Sequence, residues 1–165
     1  MNPIAEDLTR TVLLGLMATA VMDLWLLLLE RLGIPTLDFA LIGRWVGHLA
    51  RGRIAHASIA RAEPVAGERA LGWITHYLTG VAFAAVLVAV QGTGFTRDPS
   101  LLPALAVGIA TVAAPWFVMQ PAMGAGIAAS RTPTPWKNRL RSLANHTVFG
   151  GGLYLAAAGI AWISR

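Results

Sequence analysis

The sequence predicts an all-α integral membrane protein, a bundle of four transmembrane helices with one amphipathic surface helix, forming a single membrane domain over residues 1–165. Three observations predict it. The chain is 56% hydrophobic and 13% charged, with a mean hydropathy of +0.61, more apolar surface than a soluble domain of this size hides from water. The apolar residues gather into four runs, each of about 20 residues, the length a helix needs to cross a bilayer. Ten of the 13 Lys and Arg residues lie at or between two particular pairs of runs. No β-barrel alternation is visible, and single strands cannot satisfy their backbone in lipid.

The first run, about 11–32, is "TVLLGLMATAVMDLWLLLLERL". Its "ATA" resembles a cleavage site, but the apolar stretch continues through "LWLLLL" and the residues before it are not basic. It reads as a retained helix rather than a signal peptide. Next comes a segment too long for a plain connector. Over about 37–51, Phe39, Ile42, Val46 and Leu49 recur at helical spacing, with Arg44, His48 and Arg51 on another face. This is the amphipathic helix, expected along the inner membrane surface with Arg44 and Arg51 toward water or lipid phosphate. The second run covers about 71–91, the third about 101–120 and the fourth about 143–164. Pro133 and Pro135, between the third and fourth, are expected to break any helix there.

Basic residues set the orientation. Arg31, Arg44, Arg51, Arg53, Arg61 and Arg69 lie at or between the first and second runs, and Arg131, Lys137, Arg139 and Arg141 between the third and fourth. Only Arg10, Arg97 and Arg165 lie on the other side. Both termini are expected outside and the two basic connections in the cytoplasm, where Arg44, Arg51, Arg139 and Arg141 would meet anionic lipid head groups. The net charge of +5 therefore has a membrane explanation, and nucleic acid is not an expected partner. There is no cysteine, hence no disulfide.

The second and fourth runs begin alike. "RALGWITHYLTG" and "RLRSLANHTVFG" both place Arg seven residues before His and His four before Gly. Arg69, His76 and Gly80 thus match Arg139, His146 and Gly150. The first and third runs share a fainter echo, Ala18, Thr19 and Trp25 against Ala110, Thr111 and Trp116. A parallel two-helix repeat would explain both.

Asp23 is the most telling residue. Inserting a carboxylate mid-helix costs about 2.5–3.5 kcal/mol. Thr11, Gly15, Thr19, Asp23 and Glu30 fall within an arc of about 120°, so one face of the first helix must meet protein or a wet cavity. A cluster of Asp23, Glu30, His76 and His146, with Thr19 beside it, is geometrically allowed on the inner half of the bundle. It reads either as a hydrogen-bonded core or as a ligand, ion or proton site. The histidines His76 and His146, and more weakly His48 and His56, are candidate metal ligands, though a packing hydrogen bond is the commoner role. Gly80 and Gly150, one turn beyond their histidines, suit close helix packing; the same gap could admit a flat cofactor beside an axial histidine. No HExxH, no GxSxG and no nucleotide fingerprint is present, so no catalytic residue and no cofactor is assigned, and an enzyme is not the favoured class.

The segments "GRWVGHLARGRIAH", "GWITHYLTGVAFA", "MQPAMGAGIAASRTP" and "RLRSLANHTVFGGGLYLAA" together resemble a bacterial family of small multi-pass inner-membrane proteins, a domain of unknown function. The resemblance covers about residues 15–158. It implies an inner-membrane location and places His48, His56, His76 and His146 within the recurring pattern, without giving them roles. The leading expectation is a membrane protein that handles a small ligand, ion or proton through a polar bundle interior. The alternatives are a haem- or metal-binding membrane protein using His76 and His146, and an accessory subunit of a membrane complex. Four helices are few for a monomeric transporter, which points to a homodimer.

Overall fold

The computed structural model describes residues 2–164; Arg165, counted above among the outward basic residues, lies outside them. Among the described residues the chain is all-α, with no strand. Helix α1 spans Pro3–Arg31. It starts well before Thr11 because Asn2 caps it, accepting from the Ile4 amide, and because Pro3 occupies the first turn, where no N–H is needed. Helix α2, Phe39–Leu49, is capped by Asp38. Helix α3 spans Glu68–Gln91.

The third run is not one regular helix. Helix α4 covers Leu101–Ala110, a π-helical segment covers Pro115–Met119, and α5 is the single turn Gln120–Ala122. Pro115 has no N–H to offer the Thr111 carbonyl and its ring crowds that carbonyl, so the ladder breaks there and resumes wider. Helix α6 spans Pro135–Ile163. This corrects the expectation that Pro135 would break helix: at the first helical position proline costs nothing, and the helix begins on it.

Four helices are long and apolar enough to cross a membrane: Pro3–Arg31, Glu68–Gln91, Leu101–Ala122 and Pro135–Ile163. Their outward residues include Leu24, Leu102, Phe117, Val118, Leu155 and Trp162, all exposed. Leucines and aromatics at that exposure belong in hydrocarbon. The protein is a multi-pass membrane protein.

The chain forms two compact units. The first comprises α1 to Pro35, Tyr77–Thr111 and the chain from Ala144 onward. Its core joins α1 (Leu14, Ala18), α3 (Ala84, Leu87), α4 (Ala104) and α6 (Leu153), all 0% exposed. Glycines bring the backbones together. A methyl group on Gly15 would overlap Val81, and one on Gly80 would overlap the Thr19 hydroxyl. Likewise a methyl on Gly108 would overlap the Gly150 Cα. Thus α1 meets α3, and α4 meets α6, through glycines.

The second unit comprises Thr36–His76 and Val112–Leu143. Here α2 packs on the start of α3 without space for a side chain: a methyl on Gly43 would overlap the Glu68 carbonyl, and one on Gly72 the Phe39 carbonyl. Ile42, Gly43 and His48 are buried. The expectation that Arg44 points to water or phosphate differs from what is found, because its side chain is only 12% exposed and lies against Glu68. The polar face of α2 is turned into its own unit, where acidic and carbonyl oxygens satisfy it.

Candidate functional site

In the first unit, α1 carries the polar line read from the sequence. The Thr19 hydroxyl is buried and donates to the Gly15 carbonyl at 2.8 Å, which lets a hydroxyl sit against Gly80 at no hydrogen-bond loss. One turn on, the Asp23 Oδ2 accepts from the Tyr77 hydroxyl at 2.7 Å. Two residues further, the Trp25 indole N–H donates to Asn145 Oδ1 at 3.0 Å. Glu30 is exposed near the end of α1.

His146 follows Asn145 on α6. Its Nδ1 lies 2.8 Å from Thr111 Oγ1, and the Thr111 hydroxyl donates to the Gly108 carbonyl at 2.5 Å. That hydroxyl has one proton and spends it on the carbonyl, so Nδ1–H of His146 is the donor. Its Nε2 keeps the lone pair, with the Phe83 ring centroid 6.3 Å from that of His146. A histidine fixed in this tautomer could ligate a metal through Nε2. A flat cofactor beside Gly150 does not fit: a Cβ there would already lie 3.0 Å from the Ala104 carbonyl oxygen and the Leu105 Cα. The face is filled by the α4 backbone.

His76 belongs to the second unit. Its ring packs on Phe39, centroids 4.4 Å apart, and edge-on to Trp73 at 5.8 Å. Asp23 is thus held by Tyr77, His146 by Thr111, and His76 among aromatics. Tyr77 and Asn145 were passed over in the sequence, and Trp25 and Thr111 were noted only for the repeat echo. Each is a polar side chain inside an apolar run, and that alone could have marked them, since such groups find protein partners.

The second unit also joins His48 and His56. His48 is 1% exposed; its Nδ1 lies 2.7 Å from His56 Nε2 and its Nε2 lies 3.1 Å from the Glu63 carbonyl oxygen. The His56 amide donates to the Ala122 carbonyl at 2.8 Å and the Ile59 amide to the Met123 carbonyl at 3.1 Å. Beside them, Arg44 grips Glu68 with two prongs at 2.8 and 2.9 Å and points its remaining nitrogen at the carbonyls of Ala60 and Ala62. The hydrogen bond to Glu68 raises the Arg44 pKa above its ordinary value. Arg139 Nε donates to the Ala128 carbonyl at 2.8 Å, Arg141 is partly buried, and Arg51 is exposed. Ala128 and Ala129 both adopt left-handed backbone, φ 47° and 60°. Among the described residues no group of three or more His, Asp or Glu side chains could hold a metal ion.

Residues 12–160 match the model of the family described as "Protein of unknown function (DUF2938)". The chain belongs to this family. The match takes in the second and third candidate spans, most of the first and fourth, all four histidines and the Asp23–Tyr77 contact. No curated protein and no solved structure matches the chain.

Proposed function

We propose that this DUF2938 protein handles a proton or a small cation at Asp23, within the polar interior of its first unit. The observation that carries the reading is the 2.7 Å hydrogen bond from the Tyr77 hydroxyl to Asp23 on a membrane-spanning helix. A carboxylate at that depth is costly and needs a reason to be retained. A carboxylate is an acceptor group that can take up a proton or a metal cation. Thr19, Glu30 and His146 of the same unit are the further candidates. In this reading the protein sits in the bacterial inner membrane as one domain, with both termini outside. Its exposed basic residues, Arg51 foremost, meet anionic head groups, and two copies form the working unit.

Thermal unfolding in detergent, across pH and a panel of Li⁺, Na⁺, K⁺ and Mg²⁺, tests it. A species that binds only the folded protein raises the Tm. One condition should stabilise the wild type and leave Asp23→Asn unmoved, while Asp23→Asn keeps its helical content. If Asp23→Asn responds like the wild type throughout, Asp23 is a structural residue.

A further inference from the structure

We propose that His48 and His56 form a pH-sensitive latch between α2 and the Ala122–Gly124 turn. The Glu63 carbonyl can only accept, so His48 Nε2, 3.1 Å away, carries a proton. A neutral His48 then presents a lone pair on Nδ1. His56 Nε2, 2.7 Å from it, must be the N–H of the contact. The ring centroids lie 4.9 Å apart, so the rings meet end to end, as a hydrogen bond requires, and do not converge side by side on a third point. His56 Nδ1 is left as a lone pair, buried and without a hydrogen-bond partner.

This closed arrangement has no good place for another proton. On His56 Nδ1 it creates a buried N–H with no acceptor. On His48 Nδ1 it sets two N–H groups against each other across 2.7 Å. Once the rings part, water solvates either imidazolium. The open form therefore binds more protons than the closed one, and by linkage falling pH favours opening. The change belongs to the interval in which imidazoles charge, about pH 5–8.

The charged groups around the pair do not cancel this. On α2, Arg44 stands one turn before His48, and on α3, Glu68 is close enough for its charge to act on His48. Arg44 and Glu68 neutralise one another at 2.8 Å. From the segment between them, Glu63 supplies its backbone carbonyl. The turn Ala122–Gly126 contains no titratable side chain.

The latch has something to release. The His56 and Ile59 amides are tied to the carbonyls of Ala122 and Met123. Gly124, at φ 94°, lies so close to the His56 and Ala57 carbonyls that no side chain fits. Parting the imidazoles frees the strap that holds this turn.

Hydrogen exchange on the full chain in detergent, followed over residues 55–59 from pH 8 to pH 5 and corrected for the intrinsic rate, reads it out. Protection of the His56 and Ile59 amides should fall by about tenfold or more in the wild type, one pKa unit of coupling being tenfold. In His56→Gln it should stay constant. A glutamine amide donates to neutral His48 and, turned over, accepts from protonated His48, so the contact survives at both ends of the range. Flat protection in the wild type, or an equal fall in His56→Gln, overturns the proposal. If His56→Gln does not fold, imidazole ¹⁵N shifts of the wild type carry the test. His56 should gain its proton over the interval in which protection falls, and loss of protection while both rings stay neutral overturns the latch.

Discussion

Gly108 and Gly150 touch backbone to backbone, and a methyl group on Gly108 has no space at all, since it would overlap the Cα of Gly150. The reciprocal position is less severe. A methyl on Gly150 would sit 3.0 Å from the Ala104 oxygen and the Leu105 Cα, tight but short of overlap. Gly151, the next residue, faces open space.

The three glycines therefore predict an order. Gly108→Ala should destabilise by about 1–3 kcal/mol, the usual cost of overpacking. Gly150→Ala should cost less, and Gly151→Ala should be neutral or stabilising by up to about 1 kcal/mol, because alanine is the better helix former. Denaturation midpoints in one detergent would rank them. Equal midpoints for Gly108→Ala and Gly151→Ala would mean α4 and α6 do not meet at these residues.

The Asp23–Tyr77 contact predicts a coupling. Tyr77→Phe removes the donor and should cost about 1.5–3 kcal/mol, the range for a hydrogen bond to a charged group. In an Asp23→Leu background the same substitution should cost much less. A double-mutant cycle measures the difference directly. A coupling near zero would show that the two side chains do not share the bond in the membrane.

Arg44 and Glu68 predict that charge alone is not enough. Arg44→Lys keeps the cation but loses the two-pronged grip on Glu68 and the reach to Ala60 and Ala62. The loss should be about 1.5–3 kcal/mol, well above the usual value of about 0–1 kcal/mol for a surface pair. The side chains are 12% and 19% exposed, so salt should weaken the pair little. Unfolding of Arg44→Lys in low and high salt checks both statements, and an unchanged midpoint would sink them.

The fold was legible because hydrocarbon is an undemanding solvent to read. Four apolar runs had to be helices, and the structure has four spanning helices, with the second and third runs close to their expected limits. The misplaced boundaries have local causes. Helices α1 and α6 begin on Pro3 and Pro135, first helical positions where proline is harmless, and so start before their apolar runs. Pro115 lies inside a run whose hydropathy conceals the break. The site was legible only in part. Asp23, Thr19 and His146 stand out as polar residues in apolar surroundings, but their partners Tyr77, Gly15 and Thr111 are separated from them by 4 to 54 residues and depend on how helices pair. Helical periodicity specifies a face and not what it meets. The same limit explains Arg44, which was expected toward water or lipid phosphate when Glu68 supplies its acceptors.

The last prediction is orientation. It rests on the ten basic residues at or between the first and second runs and the third and fourth, against three elsewhere. The three-residue set includes Arg97, in the short connection that joins α3 to α4, and this connection is tied to the start of α1. Arg97 reaches Asp7 at 2.9 Å and Glu6 at 3.3 Å, and Arg10 pairs with Glu6 at 2.9 Å. The acidic hydrogen bonds and charge of Asp7 raise the Arg97 pKa. The start of α1 and the α3–α4 connection must therefore lie at one membrane surface, whichever surface that is. The excess of Lys and Arg in the other two connections predicts a cytoplasmic position for them, because a membrane potential negative inside opposes their export. A phosphatase reporter inserted within 93–100 should be active, as should one placed after the chain's last residue, and a reporter within 123–134 should be silent. Activity in 123–134 together with silence in 93–100 would invert the protein. Matching activity in both connections would mean that the segment 101–122, weakened by Pro115 and its π-helical turn, does not cross.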